Sequence, residues 1–228
     1  MTRSEAHDRL EEVLAEARRR SLVGNLPMSA HRAHSEGFLR ALLLETVDGP
    51  ILEIGAGGGL PGLVLAVEDA DLHLVLLDSA RRSVEFLKWA VSQLQLSSRV
   101  EVVHARAEQL GRDERYRASF AAILARSFGP PAVTAECAAP LLKVGGRLIV
   151  SEPPDKDSHT IRATQDTPPD PDRWPAVGCE KLGLTPEFGI RERFGFAVLR
   201  QTSLCPDRYP RRPGIPTKRP LFSQVPLV

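Results

Sequence analysis

One glycine-rich segment constrains the fold more than any other part of this 228-residue chain. It runs Ile51-Leu-Glu-Ile-Gly-Ala-Gly-Gly-Gly-Leu-Pro-Gly62, so a short apolar strand leads into a glycine turn and then into a helical pattern. A glycine turn between a strand and a helix lets the backbone approach a ligand closely. Gly55, Gly57 and Gly59 would form the floor of such a site. Taken alone, the spacing is equally compatible with a purely structural turn.

Apolar strands and helical patterns alternate through the middle of the chain. The predicted strands span 51–54, 72–77, 99–104, 120–124 and 147–151, and the helices between them span 63–67, 79–94 and 133–142. This alternation predicts an α/β fold with a mostly parallel sheet covered by helices on both faces. Two further strands, 187–190 and 194–199, predict an antiparallel hairpin at the sheet edge. A seven-stranded sheet is therefore expected.

Helical patterns also precede the first strand. Residues 5–20 carry apolar side chains at helical spacing, and Ser35 can cap a second helix. We therefore divide the chain into an N-terminal helical extension (1–48), a ligand-binding domain (49–204) and a basic, proline-rich C-terminal tail (205–228). The tail is expected to add little to the core.

Composition narrows the classes of partner. The formal net charge is +1, so any nucleic-acid contact needs a local cluster of Arg and Lys. Cys137, Cys179 and Cys205 are widely spaced, which predicts neither a zinc site nor a disulfide framework. The sequence has no signal-peptide core and no apolar run of about 18 residues, so a cytoplasmic protein is expected.

Prolines between residues 151 and 175 predict a long loop.

The residue at the end of the second strand restricts the kind of ligand that the glycine turn could bind. Asp78 stands about twenty residues after the turn, where a carboxylate can accept hydrogen bonds from two ribose hydroxyls. The same arrangement would serve a nicotinamide dinucleotide. The spacing Gly55-x-Gly57-x-Gly59 favours S-adenosylmethionine instead. Glu53 supports that choice, because dinucleotide enzymes usually carry an apolar residue there.

Two further strand ends carry groups that could meet this cofactor. Ala107 and Glu108 follow the third strand, near where an adenine would lie, and Arg126 and Phe128 follow the fourth. In open α/β folds, ligands bind at the carboxyl ends of the strands. Each group also has a plainer interpretation: Glu108 as the acid that starts a helix in a solvated loop, and Arg126 as a surface charge.

These segments together resemble the glucose-inhibited division protein B family, bacterial methyltransferases that modify guanine N7 in small-subunit ribosomal RNA. The resemblance covers residues 50–151 and 205–221, with Leu77-Asp-Ser79, Arg106-Ala-Glu108 and Ala125-Arg-Ser127 in family order. The tail Arg208-Tyr-Pro-Arg-Arg-Pro-Gly-Ile-Pro-Thr-Lys-Arg-Pro-Leu221 looks like the family's C-terminal signature. That signature is much more specific than a glycine turn.

The resemblance implies a class I methyltransferase Rossmann-like fold, S-adenosyl-L-methionine as cofactor and 16S ribosomal RNA or the small ribosomal subunit as partner. From the cysteine spacing and the lack of a long apolar run, we expect neither a metal nor a membrane as partner. The implied cofactor contacts are Gly55, Leu60, Ala107, Glu108 and Arg126. Guanine N7 has a free lone pair and no proton to lose, so transfer needs alignment and no general base. No side chain is assigned to proton transfer, and Arg126 is expected only to orient the reactants.

The tail is the predicted RNA contact. Arginine and lysine pair with phosphates, and a tyrosine ring can stack on a base. The residues concerned are Arg208, Tyr209, Arg211, Arg212, Lys218 and Arg219. A plainer alternative is a solvated, proline-stiffened terminus.

Three segments depart from the family pattern, and two of them, the N-terminal region and the loop after the fifth strand, border the substrate side of the fold. Ala121 replaces an acid, Ser151-Glu-Pro-Pro154 replaces a small residue followed by Lys-Gly, and Asn25-Leu-Pro27 is at best a remnant of Asn-Leu-Thr. The alternatives are therefore a methyltransferase that acts on another RNA or on a small molecule, and a non-catalytic cofactor-binding module in ribosome assembly.

Overall fold

The central sheet brings the carboxyl ends of its parallel strands to one edge, where the predicted site residues lie. The computed structural model describes residues 2–153, 168–191 and 194–222, and it contains a seven-stranded sheet in the order β3-β2-β1-β4-β5-β7-β6. Strands β1 to β5 pair in parallel, whereas β7 runs antiparallel to both β5 and β6. The predicted sheet and its antiparallel edge hairpin are confirmed. The strands are β1 Ile51–Ile54, β2 Leu74–Asp78, β3 Val100–His104, β4 Phe120–Ala125, β5 Leu142–Glu152, β6 Leu184–Arg191 and β7 Gly195–Gln201.

Helices cover both faces of the sheet, and each face has its own apolar cluster. Successive side chains of β2 show the division: Leu74 and Leu76 join the cluster under α1 to α4, and Val75 and Leu77 join the cluster under α5 to α7. Because both faces are buried, β2 is apolar without alternation. The helices are α1 Arg3–Arg19, α2 Met28–Leu42, α3 Gly62–Glu68, α4 Arg81–Gln93, α5 Ala107–Leu110, α6 Pro131–Ala138, α7 Ala176–Glu180 and α8 Ile215–Lys218.

The start of α2 differs from the sequence prediction. Ser35 does not cap this helix but lies inside it, fully buried, where its hydroxyl donates to the carbonyl oxygen of His31 at 3.0 Å. A serine that bonds back to the preceding turn is tolerated within a helix. The helix therefore begins at Met28, which brings His31 and His34 into regular helical structure.

The C-terminal tail packs against the domain, so the expectation that it adds little to the core is wrong. We call residues 205–222 the C-terminal strap; residues 223–228 of the predicted tail lie outside the described residues. Tyr209 is only 7% exposed and belongs to the second apolar cluster. The guanidinium of Arg117 donates to the carbonyl oxygens of Cys205 at 2.8 Å and Tyr209 at 2.9 Å.

The loop predicted over 151–175 falls partly outside the described residues, at 154–167. Its two described ends meet, because Trp174 is buried and its Nε1 donates to the carboxylate of Glu152 at 2.9 Å. Within the described ranges, no helix is both long and apolar enough to cross a membrane.

Candidate functional site

The glycine turn lies at the carboxyl edge of the sheet, directly after β1. Gly55, Gly57 and Gly59 have φ angles of +72°, +52° and +80°, a region that favours glycine. A Cβ atom added to Gly55 would lie 2.8 Å from Cδ2 of Phe128, and one added to Gly59 would lie 2.3 Å from Cδ1 of Leu63. The turn therefore needs glycine for its conformation and, at two positions, for space.

Asp78 ends β2 and holds the glycine turn. Its carboxylate accepts hydrogen bonds from the backbone N–H groups of Gly57 and Ala80, both at 2.8 Å. The side chain is part-buried, and each carboxylate oxygen keeps a second lone pair. Asp78 can thus fix the turn and still accept hydrogen bonds from a ligand.

Glu53 and Arg126 are buried beside the turn, and each has an unpartnered polar atom. Glu53 is 1% exposed; its Oε2 accepts from the N–H of Gly62 at 2.8 Å, and its Oε1 has no partner among the described residues. Burial raises the pKa of Glu53 to about 8, although the Gly62 N–H and the charge of Arg126 oppose the shift. The Nη1 atom of Arg126 likewise has no partner there. Unsatisfied buried groups are rare, and these two point to a ligand with a donor and an acceptor.

Sequence analysis missed His31, which contacts Arg126 from α2. The Nη2 of Arg126 donates to Nδ1 of His31 at 2.5 Å, and Nε2 of His31 donates to the carbonyl oxygen of Gly24 at 3.0 Å. A sequence signal existed only in the spacing of His31 and His34, which share a face once α2 is known to begin at Met28.

The linker between α1 and α2, residues 20–27, covers the glycine turn. A Cβ atom added to Gly58 would lie 2.5 Å from Cγ1 of Val23 and 3.0 Å from the carbonyl oxygen of Leu22. The guanidinium of Arg82, near the start of α4, donates to the carbonyl oxygen of Ser21 at 3.3 Å. The N-terminal helices thus contribute directly to this site.

The remaining predicted cofactor contacts lie on the same edge. Leu60 and Ala107 are buried in the two apolar clusters. Glu108 is 4% exposed and accepts from Arg106 Nη2 at 3.0 Å and from the Gly214 N–H at 2.9 Å. Burial raises the pKa of Glu108, but these hydrogen bonds outweigh it and hold the pKa below its usual value. Glu108 therefore anchors the strap, and its contact with the adenine stays a prediction.

The six predicted RNA contacts separate into two groups. Arg211 forms a bidentate ion pair with Glu136, which is 0% exposed, at 2.8 and 2.6 Å, and Tyr209 is too buried to stack on a base. The prediction is revised for these two residues, because both hold the strap against the domain. The remaining four are exposed: Arg208, Arg212, Lys218 and Arg219.

Known proteins match this chain along most of its length. A family model described as rRNA small subunit methyltransferase G matches residues 38–159. The chain belongs to this family. It is 37% identical over 177 residues to the ribosomal RNA small subunit methyltransferase G of Dictyoglomus thermophilum, covering 75% of this chain and 68% of the relative. It is 32% identical over 217 residues to the same methyltransferase of Rubrobacter xylanophilus, and the match covers 92% of this chain and 80% of the relative. The resemblance to the glucose-inhibited division protein B family is thereby confirmed.

Solved structures agree with the fold. A Klebsiella pneumoniae protein assigned as an O-methyltransferase matches with a TM-score of 0.59 at 18% identity, covering 86% of this chain and 90% of that one. A cofactor-bound structure of Rv0187 from MTB matches with a TM-score of 0.56 at 19% identity and the same coverage. The predicted class I methyltransferase fold is confirmed. Across the described part of the chain, no group of three or more His, Cys, Asp or Glu side chains could hold a metal ion.

Proposed function

We propose that this chain transfers the methyl group of S-adenosylmethionine to N7 of a guanine in 16S ribosomal RNA. The observation that carries the proposal is the set of groups at the carboxyl edge of the sheet, found in a member of the rRNA small subunit methyltransferase G family. A glycine turn, a carboxylate at the end of β2 and two buried polar atoms that have no partner among the described residues converge there. Because ribosomal RNA is the expected substrate, we expect the protein in the cytoplasm.

The residues of the site fit the cofactor at both of its polar ends. Asp78 has lone pairs left for the ribose hydroxyls, and the glycine turn that it fixes lies directly after β1, at the carboxyl edge of the sheet where ligands bind in open α/β folds. The methionine part carries an ammonium and a carboxylate, which complement Oε1 of Glu53 and Nη1 of Arg126, both without a partner in the part of the chain that the structure describes. When bound, the cofactor supplies an electrophilic methyl group on its sulfonium.

The substrate side needs orientation more than acid–base chemistry. Guanine N7 would take the methyl group with its free lone pair as the S–CH3 bond breaks and neutral S-adenosylhomocysteine leaves; no proton is lost, so a general base has no task in this reaction. The exposed group Arg208, Arg212, Lys218 and Arg219 can pair with RNA phosphates, which binds the RNA without reading its sequence. The choice of nucleotide then depends on how the site is bordered, including the divergent Asn25-Leu-Pro27 segment of the linker.

Mass spectrometry of digested 16S ribosomal RNA tests the proposal. A strain that lacks the gene should lose one 7-methylguanosine, and the wild-type chain should restore it, whereas Asp78→Ala should restore it poorly. Purified chain should also methylate 16S RNA, free or in the small subunit, in the presence of S-adenosylmethionine. Loss of a different modified nucleotide would move the substrate to another RNA position. An unchanged nucleotide profile in the deletion strain would contradict the proposal.

A further inference from the structure

The hydrogen bonds of His31 fix its protonation state. Its Nε2 lies 3.0 Å from the carbonyl oxygen of Gly24. A carbonyl oxygen can only accept, so Nε2 carries the proton. The opposite nitrogen, Nδ1, lies 2.5 Å from Nη2 of Arg126, which can only donate. His31 therefore makes both contacts only as a neutral imidazole with a free lone pair on Nδ1.

His31 joins three parts of the candidate site. It belongs to α2, it holds Gly24 in the linker that covers the glycine turn, and it fixes one arm of the Arg126 guanidinium. Because Nη2 is occupied by His31, the guanidinium presents in one orientation its Nη1 atom, which no described residue contacts by a hydrogen bond. Loss of the His31 contacts would remove one of the hydrogen bonds that hold the linker and would release Nη2 of Arg126.

We propose that His31 is a positioning residue that orients Arg126 toward the carboxylate of S-adenosylmethionine and holds the linker over the glycine turn while its ring is neutral. The inference rests on the proposed function, in which Arg126 contacts the cofactor. His31 acts through Arg126 and needs no contact with the reacting atoms.

Burial and the charges around His31 predict how cofactor affinity should change with pH. Burial lowers the pKa of His31 below its usual value of 6.5, and the positive charges of Arg126 and Arg18 act in the same direction. His34, on the same helix, has a pKa of about 4, so it stays neutral between pH 5 and 8. Protonation of His31 would place an N–H against the Arg126 donor. Cofactor affinity should therefore fall as the pH drops through the lowered pKa of His31, on the acid side of the usual histidine value.

Two substitutions separate the two contacts of His31. In His31→Asn the amide oxygen can take the place of Nδ1 and accept from Arg126, but the side chain is too short to reach Gly24. In His31→Gln the terminal amide can reach Gly24 but offers Arg126 no acceptor in the same place. His73→Asn is a matched control, because His73 is exposed at the opposite edge of the sheet.

Calorimetry with S-adenosylhomocysteine at pH 7.5 and 5.5 provides the readout, with melting temperatures measured without ligand. We expect His31→Gln to weaken binding about tenfold at pH 7.5, in line with the loss of a hydrogen bond to a charged group. His31→Asn should stay within about threefold of the wild type, and His73→Asn should match it. Glu53 titrates in the wild type and in every variant, so its effect cancels in the ratio of wild-type affinity to His31→Asn affinity. Only the wild type has His31 to protonate, so this ratio should be lower at pH 5.5 than at pH 7.5.

The outcomes distinguish the inference from the proposed function. Equal affinities for the wild type and both His31 variants, or losses that only follow a lower melting temperature, would overturn the role of His31. If His31→Gln does not fold, the pH dependence of the His31→Asn ratio decides alone, and a constant ratio overturns the inference. A wild-type chain that binds no S-adenosylhomocysteine would overturn the proposed function, and the inference with it.

Discussion

Replacing Arg211 by alanine tests whether the C-terminal strap is part of the folded domain. Glu136 is 0% exposed and accepts three hydrogen bonds from Arg211: from the backbone N–H at 2.9 Å, from Nε at 2.8 Å and from Nη2 at 2.6 Å. The alanine variant keeps only the first of them. Removing one partner of a buried ion pair costs about 3–5 kcal/mol, because the other charge stays buried.

The structure favours the lower end of that range, because the Arg211 side chain is 26% exposed. A loss of about 3 kcal/mol lowers the melting temperature of a domain this size by about 6–12 °C, at about 2–4 °C per kcal/mol. Chemical denaturation measures the free energy directly. Arg212→Ala is the matched control, since an exposed neighbour should change stability by less than about 0.5 kcal/mol.

The double variant Glu136→Leu with Arg211→Met completes the test. It removes both charges and leaves one backbone N–H without its acceptor, so we expect a loss of about 1–2 kcal/mol, smaller than for Arg211→Ala alone. If Arg211→Ala is as stable as Arg212→Ala, the strap does not stabilise the domain and our account of the pair is wrong.

The other predictions concern RNA, cofactor and protons. Replacing all four exposed basic residues, Arg208, Arg212, Lys218 and Arg219, with alanine should weaken RNA binding and leave the melting temperature unchanged. The slope of log affinity against log salt concentration should become shallower by about 0.7 per lost phosphate contact on single-stranded RNA. An unaltered slope would show that these charges only face solvent. Asp78→Ala should weaken S-adenosylmethionine binding about tenfold, because the carboxylate fixes the Gly57 backbone and is proposed to accept from the ribose hydroxyls, and a calorimetric affinity equal to wild type would remove it from the site. Burial raises the pKa of Glu53 to about 8, so binding of the cofactor ammonium at pH 7 should release a proton, seen as a dependence of binding enthalpy on the buffer. Glu53→Gln should abolish that release. It should also flatten the loss of stability that the wild type suffers as pH rises from 4.5 to 8, since only the unfolded Glu53 ionises readily there.

The central strands β1, β2 and β4 could be predicted because burial on both faces leaves a continuous apolar run. The positions of the glycine turn and Asp78 followed from the same reasoning, since parallel strands end at one edge. Helix bounds were harder to predict: α6 ends at Ala138, and Ala139–Leu141 form a 3-10 turn instead of continuing the helix to residue 142. Pro140 cannot donate the hydrogen bond that a longer helix would need.

The direction of a charged side chain could not be predicted from the sequence. Arg211 and Arg212 are neighbours with the same chemistry, yet one pairs with a buried carboxylate and the other is exposed. The difference depends on Glu136, which lies 75 residues earlier and is brought to the strap only by folding. His31 was missed for a similar reason, because its partner Arg126 lies 95 residues away in the chain.

The distance in sequence between Glu136 and Arg211 has a consequence for synthesis. At about 5–20 residues per second, the ribosome adds Arg211 about 4–15 s after Glu136, a separation of 75 residues. During that interval the nascent chain holds a carboxylate whose partner does not yet exist, and the sides of α5 and α6 that the strap will cover are bare. A chain interrupted in this interval should be a target for chaperones and proteases. The ion pair between Glu136 and Arg211 can thus form only in chains that extend at least as far as Arg211.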